Sequence, residues 1–252
     1  MRSSRAAVWT FLALALVCAG VFISLGVWQL SRLAETREAN RLVETRMEQA
    51  AVDLDLNADE ARVAADSLAW RRVRARGTWD FDREIVIRGR AMHGTPGVHV
   101  VTPLVLGSGE ALLVLRGWLP AADGLSADLT GSRPYTEGSE VDVVGLALAG
   151  ETASRIPGRT HSFDSVEHRV LGSLDLEAAE AALPYPVLPV YVLLSESRAV
   201  DGGPAIVDEP APSDGPHLWY AVQWFAFALI TIGGFLAFAR TQWGSPLERS
   251  TS

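Results

Sequence analysis

Two stretches without a charged side chain, residues 6–31 and 218–239, bracket a polar middle that carries nearly all the charge of this 252-residue chain. A helix rises about 1.5 Å per residue and needs ~20 apolar residues to cross a hydrocarbon layer ~30 Å thick, so both stretches are long enough to span. Each must then be helical, because only a helix satisfies its own backbone hydrogen bonds in lipid. Arg2 and Arg5 ahead of an apolar run also fit a cleaved signal peptide. Against that, the run continues through Ile23, Leu25, Val27 and Trp28 without a small-residue exit, and Val17, not a small residue, precedes Cys18. The second stretch has a buried core helix as its alternative, which its uncharged length beside a Pro/Gly-rich segment disfavours.

These features predict membrane helices over residues 6–29 and 217–239. Arg2, Arg5 and Arg240 on the short flanks put both termini in the cytoplasm, as residues 1–5 and 240–252, and residues 30–216 outside it, in a bacterial-type cell membrane. Arg32, Arg37, Arg41 and Arg46 pull the other way, but Glu35, Glu38, Glu44 and Glu48 interleave with them. The only cysteine, Cys18, falls inside the first span, which excludes copper delivery through paired cysteines. A net charge of -8 without a basic patch argues against a nucleic-acid partner and leaves membrane lipid and other proteins.

Residues 30–49 alternate acids and arginines at helical spacing and read as an exposed prolongation of the first span. After an Ala-rich acidic stretch the period changes to that of strands. Val73 to Trp79 sits among arginines; Ile85, Val86 and Ile87 follow an Asp-Phe-Asp turn; Val98 to Leu106 leads into Gly107-Ser108-Gly109-Glu110, a hairpin connection, and residues 112–115 run back. Further strands are expected over 141–148 and 187–194, with a helix over 176–183 halted by Pro184. The expected fold class is a membrane α+β protein: two transmembrane helices flanking an antiparallel, strand-rich domain, barrel or sandwich, with one or two short helices. Residues 197–216, with four prolines, read as an irregular linker.

Three motifs stand in order between the spans: Trp28-Gln29-Leu30-Ser31-Arg32 closing the first, Arg116-Gly117-Trp118-Leu119-Pro120 in the middle, and His217-Leu218-Trp219-Tyr220-Ala221-Val222-Gln223-Trp224 opening the second. With Gly77-Thr78-Trp79 and Thr102-Pro103-Leu104 between them, this order closely resembles the Surfeit locus protein 1 family over nearly the whole chain. The resemblance implies a non-catalytic assembly factor for haem-copper cytochrome c oxidase, acting on haem a delivery to, or stabilisation in, the large catalytic subunit. Haem a would be held transiently, and haem a synthase is a further partner. The family's haem-linked histidine corresponds to His217, but Asp214-Gly215-Pro216 stands where asparagines are usual, and Val170-Leu171-Gly172-Ser173-Leu174 replaces an apolar-aromatic run before Asp175.

A neutral imidazole at His217 suits haem ligation, with Tyr220 and Trp224 on the helix below it and Trp28 and Gln29 at the matching end of the other span as pocket candidates. The plainer alternative is an interfacial histidine in an aromatic belt. Arg116 and Trp118 are candidates for partner binding, since an arginine fork suits a haem propionate or a partner carboxylate; the alternative is a structural turn with Trp118 in the core. Arg71, Arg72, Arg74 and Arg76 read as a solvated strand face. His93 and His99, and His161 and His168, lie six and seven apart, neither a helical metal spacing. No serine sits in a nucleophile elbow and no Gly-rich phosphate loop is present, so no catalytic residue is assigned. A haem-free chaperone that docks on oxidase subunits by protein contacts alone is the competing function.

Overall fold

The computed structural model describes residues 2–54, 63, 65–123, 127, 129, 140–151, 169–195 and 203–243. The chain divides into two compact units, Met1–Leu42 with Pro212–Ser252, and Val43–Ala211.

The first unit is a helix pair. Helix α1 (Arg2–Glu48) and the C-terminal helix (His217–Trp243) are both long and apolar enough to cross a membrane. Their seam is made of small and branched residues: Val8, Ala15, Ala19 and Leu33 on one side, Ala221, Ala228 and Ala239 on the other, all buried. Small side chains let backbones approach where lipid supplies no hydrophobic drive for association. Aromatic rings fill the space beside them, Phe11 against Phe238 at 4.9 Å between centroids and Phe22 stacked on Trp224 at 5.8 Å. Gly26 lies under Phe225, where a Cβ would come within 2.8 Å of the ring. Gly20, Gly233 and Gly234 meet nothing within 4 Å and face away from the seam. On the exposed side of α1, Arg32 pairs with Glu35 at 2.6 Å and Arg41 with Glu38 at 3.7 Å. Exposed pairs of this kind add a few tenths of a kcal/mol each, roughly 0.3–0.5, and serve mainly to keep that surface polar.

Among the described residues the second unit has eight strands: β1 (Val52–Asp53), β2 (Arg72–Trp79), β3 (Ile85–Met92), β4 (Thr95–Leu106), β5 (Ala111–Pro120), β6 (Glu140–Ala149), β7 (Arg169–Leu171) and β8 (Val187–Leu194). Period-two alternation is plain in β2, where Val73, Ala75, Gly77 and Trp79 are buried and Arg74 and Arg76 exposed. Of barrel and sandwich, it is a barrel. The order β2-β6-β8-β5-β4 closes on itself because β2 also pairs with β4, Gly77 opposite Leu106 and Trp79 opposite Leu104. At that closure a Cβ on Gly77 would stand 2.5 Å from the Val105 carbonyl oxygen, so only glycine lets the two strands meet.

The expectation of an antiparallel sheet needs correction. β5 and β8 run parallel, Val114 opposite Val192, and so do the short pairs β1–β2 and β3–β7. The reason is parity. Strand direction cannot alternate all the way round a ring of five, so at least one neighbouring pair must be parallel.

Inside the barrel, Leu104, Leu112, Val114, Leu188, Val190 and Val192 form the main core with Val73 and Trp79. A second core lies on the opposite face of β5 and β8, where Leu113, Leu115, Tyr191 and Leu193 pack with Leu171, Leu174 and Ala179. This double coverage makes β5 and β8 almost continuously buried. Both therefore lack the period-two alternation of a half-buried strand: β8 is apolar almost throughout, and β5 is apolar from Ala111 to Leu115. A short helix, Leu176–Ala181, covers part of this outer face and ends before the 183 expected; Asp175 caps it by accepting from the backbone of Glu177 and Ala178. Met47, at the C-terminal end of α1, and Val207 also pack there.

Two local readings differ from expectation. Arg116-Gly117-Trp118 sits within β5, which runs on to Pro120, and does not end a strand. The strand register shifts opposite Gly117, at Val100/Val101. A Cβ on Gly117 would lie 2.4 Å from the Ala205 carbonyl oxygen. Ala205 explains the second difference: within the segment read as linker, it exchanges two backbone hydrogen bonds with Trp118, of 2.7 and 2.8 Å. Glu209, four residues on, receives both terminal nitrogens of Arg72 at 3.0 and 3.1 Å.

Candidate functional site

His217 is the first residue of the C-terminal helix and is half-buried. Its Nδ1 lies 2.9 Å from Oε1 of Gln29. Gln29 is positioned by Gly26, one turn earlier on α1, and by the heptad spacing that puts residues 15, 19, 22, 26, 29 and 33 along one stripe. A glutamine facing lipid leaves its amide unsatisfied, and the imidazole supplies the partner. The segment before His217 is tied to the same helix. Arg37 Nε donates to Asp214 Oδ2 at 2.8 Å and Asn40 Nδ2 to Asp214 Oδ1 at 3.4 Å. Gly215 follows with φ +65°, a left-handed conformation that glycine adopts without strain. A Cβ there would touch the imidazole edge, 3.5 Å from Cδ2 and 3.6 Å from Nε2.

The other residues expected around His217 divide. Trp224 stays on the inner side of the pair, with Phe22 and Phe227 at 5.8 and 5.9 Å, two turns or about 10 Å along the helix from His217. Trp28 and Tyr220 are 53% and 47% exposed and point outward. Tyr220, Ala221, Trp224 and Ala228 therefore do not line one open slot below His217. Ala221 and Ala228 are closed off in the seam, 1% and 3% exposed, which leaves no room for a flat molecule between the helices at their level. Phe22 and Gly26 join the site without an expected role there, and Asp214 was expected only as a departure from the usual asparagines. Phe22, seven residues before Gln29, was legible from helical periodicity alone.

Arg116 and Trp118 lie in the other unit and are engaged within it. Arg116 Nη2 donates to Glu84 Oε1 at 2.6 Å and its Nε to Thr102 Oγ1 at 2.7 Å, while the guanidinium sits 5.3 Å from the centre of the Phe81 ring. Trp118 is 8% exposed, donates from Nε1 to the Arg90 carbonyl at 3.3 Å, and covers Gly97. Both side chains expected at a partner contact are thus held inside this unit, the guanidinium already paired with a carboxylate. The arginine face of β2 is solvated at Arg74, but Arg72 and Arg76 are paired with Glu209 and Asp142.

His99 is half-buried near the ion pair between Arg90 and Glu151. Burial, aided by Arg90 and opposed by Glu151, pushes its imidazole down to about 4, so it is neutral at pH 7. Burial also holds the Tyr191 phenol up, to about 12. A cleft of about 500 Å³ lies beside Glu151, Asp175, Glu177 and Glu180. Three of these acids are structural: Glu151 holds Arg90, Asp175 caps its helix, and Glu180 accepts from the backbone of Val187. Among the described residues no group of three or more His, Cys, Asp or Glu could hold a metal ion, and His161 and His168 lie outside the described residues.

Comparison with known proteins converges on one family. The SURF1 family model matches residues 16–229. A SURF1-like protein of Rickettsia felis is 25% identical over 228 residues, 87% of this chain and 92% of that one. An uncharacterized SURF1-like protein of Mycobacterium tuberculosis is 27% identical over 250 residues, 94% of this chain and 89% of that one. A SURF1-like protein of Caenorhabditis briggsae is 27% identical over 229 residues, covering 83% and 69%.

Proposed function

Starting from the fact that the chain belongs to the SURF1 family, we propose that it is an assembly factor for haem-copper cytochrome c oxidase that handles haem a on its way to the large catalytic subunit. The helix pair spans a bacterial-type cell membrane, both termini are cytoplasmic, and the barrel unit faces the other side. His217 is the iron-side contact.

The observation that carries this reading is the single half-buried imidazole at the end of a membrane-type helix, with no side chain on the residue before the preceding proline to cover its Nε2 edge. The donor fits a haem, whose iron a neutral nitrogen of His217 would hold. With the seam filled, the macrocycle in this reading lies outside the alanine contacts, toward the open surface that carries Trp28 and Tyr220. When bound, the haem supplies all the redox chemistry. The protein's part is to hold it, orient it through His217 and keep it apart from water. Oxidase subunits and haem a synthase are the partners in this reading, and the barrel unit is the docking element.

The test is the absorption spectrum of the protein purified in mild detergent from cells that make haem a, with His217→Ala beside it. A haem a band present in the first and lost in the second supports the carrier role. No band in either, with oxidase assembly still dependent on the protein, gives the function to a haem-free docking chaperone.

A further inference from the structure

Imidazole exists as two neutral tautomers, and which nitrogen keeps the proton is set by the hydrogen bond the ring makes. The amide oxygen of Gln29 only accepts. At 2.9 Å from Nδ1, it requires the proton on that nitrogen and leaves the lone pair on Nε2. We propose that Gln29 is a positioning residue: it fixes His217 in the tautomer protonated on Nδ1, so that Nε2 is presented as a ready donor to a metal centre. The ligand part of this rests on the haem reading above; the tautomer part does not.

Two further features act in the same direction. Gly215 lies against the Nε2 edge, where any side chain would add an atom 3.6 Å from that nitrogen. Arg37 and Asn40 hold Asp214 from α1, the helix that carries Gln29, so the approach to His217 and its hydrogen-bond partner are fixed to the same rigid element. Second partners of this kind orient ligating histidines and raise their basicity, and removing one typically weakens metal affinity by roughly 10–100-fold. A glutamine serving only to join two helices has no reason to select a tautomer. With the amide turned the other way, its NH2 group would donate to Nδ1 and the proton would sit on Nε2, blocking ligation. The two amide orientations therefore predict opposite ring states.

The experiment uses the full chain, labelled with ¹⁵N-histidine, in lipid nanodiscs without haem, with His217→Ala identifying the signal. Two-bond ¹H–¹⁵N correlations report the tautomer directly. The expected result is protonated Nδ1 in the wild type, a mixture in Gln29→Leu, and retention of the wild-type state in Gln29→Glu, which keeps an acceptor. A proton on Nε2 in the wild type, or an unchanged tautomer in Gln29→Leu, overturns the proposal.

Titration with haem a forms the second arm. Gln29→Leu should bind roughly 10–100-fold more weakly, with a lowered iron–histidine stretching frequency in the ferrous complex, and Gln29→Glu should recover both. Loss of binding in His217→Ala with wild-type affinity in Gln29→Leu overturns the positioning role. Equal binding by wild type and His217→Ala defeats the haem reading alone, and the tautomer is still decided by the first arm.

Discussion

Arg116 and Glu84 meet at 2.6 Å with only 3% and 2% of their side chains exposed, and the Thr102 hydroxyl bridges them, accepting from the arginine and donating to the carboxylate. Breaking such a buried pair from one side strands a charge, which costs roughly 3–5 kcal/mol, whereas replacing both partners by apolar groups is often neutral. Arg116→Ala should therefore lower stability by about that amount in a denaturant titration in mild detergent, and Arg116→Met with Glu84→Leu should recover most of it. An arginine kept for a partner's carboxylate would give the reverse pattern, unchanged stability and lost binding.

The pH dependence of stability should show two limbs. His99 titrates near 6.5 when unfolded but near 4 in the fold, because burial disfavours its charged form. Between those values the unfolded chain holds a proton that the folded chain does not, so stability falls as pH drops from 6.5 toward 4. Tyr191 titrates near 10.0 unfolded and about 12 folded, so stability falls again as pH rises from 10. Unfolding midpoints measured across the pH range should flatten on the acid side in His99→Gln and on the alkaline side in Tyr191→Phe.

Gly26 controls how closely the helices approach near Gln29. A Cβ there would meet the far edge of the Phe225 ring at 2.8 Å, which the ring can relieve by a small swing. Gly26→Ala should therefore be tolerated, while Gly26→Leu should spread the pair and break the contact between His217 and Gln29. Cysteine cross-linking across the seam and haem retention check both, and a leucine variant that still cross-links at wild-type rate would contradict the geometry.

The pairing of Glu209 with Arg72 secures the segment that carries Ala205. Since Arg72 is more than a third exposed, losing the pair should change global stability by less than about 1 kcal/mol. Glu209→Ala should instead act locally, speeding hydrogen exchange at the Trp118 and Ala205 amides while the barrel core stays protected.

Much of this was legible in the sequence because one physical signal dominated each part. Uncharged length marked the two long helices, and period-two burial marked β2. Val187–Leu194 and the turn at Gly107-Ser108-Gly109-Glu110 fell where composition put them. The extent of β5 was missed because Arg116 and Gly117 look like punctuation. A charge inside a strand is readable as core only once Glu84, which lies 32 residues earlier, is known to face it. The contact between Gln29 and His217 followed from each lying at the end of its span. The outward turn of Trp28 and Tyr220 did not, because an aromatic side chain near a membrane surface suits lipid and ligand equally well.

The placement of β8 between β5, to which it runs parallel, and β6, to which it runs antiparallel, sets the order in which this molecule can be finished. β5 ends at Pro120, β6 ends at Ala149 and β8 begins only at Val187, so from residue 149 to residue 187 the growing chain carries both flanking strands without the one that joins them. A product cut short before residue 187 would expose one edge of each, a template for pairing with other copies. The barrel closes only when its last strand arrives, shortly before the second long helix is made.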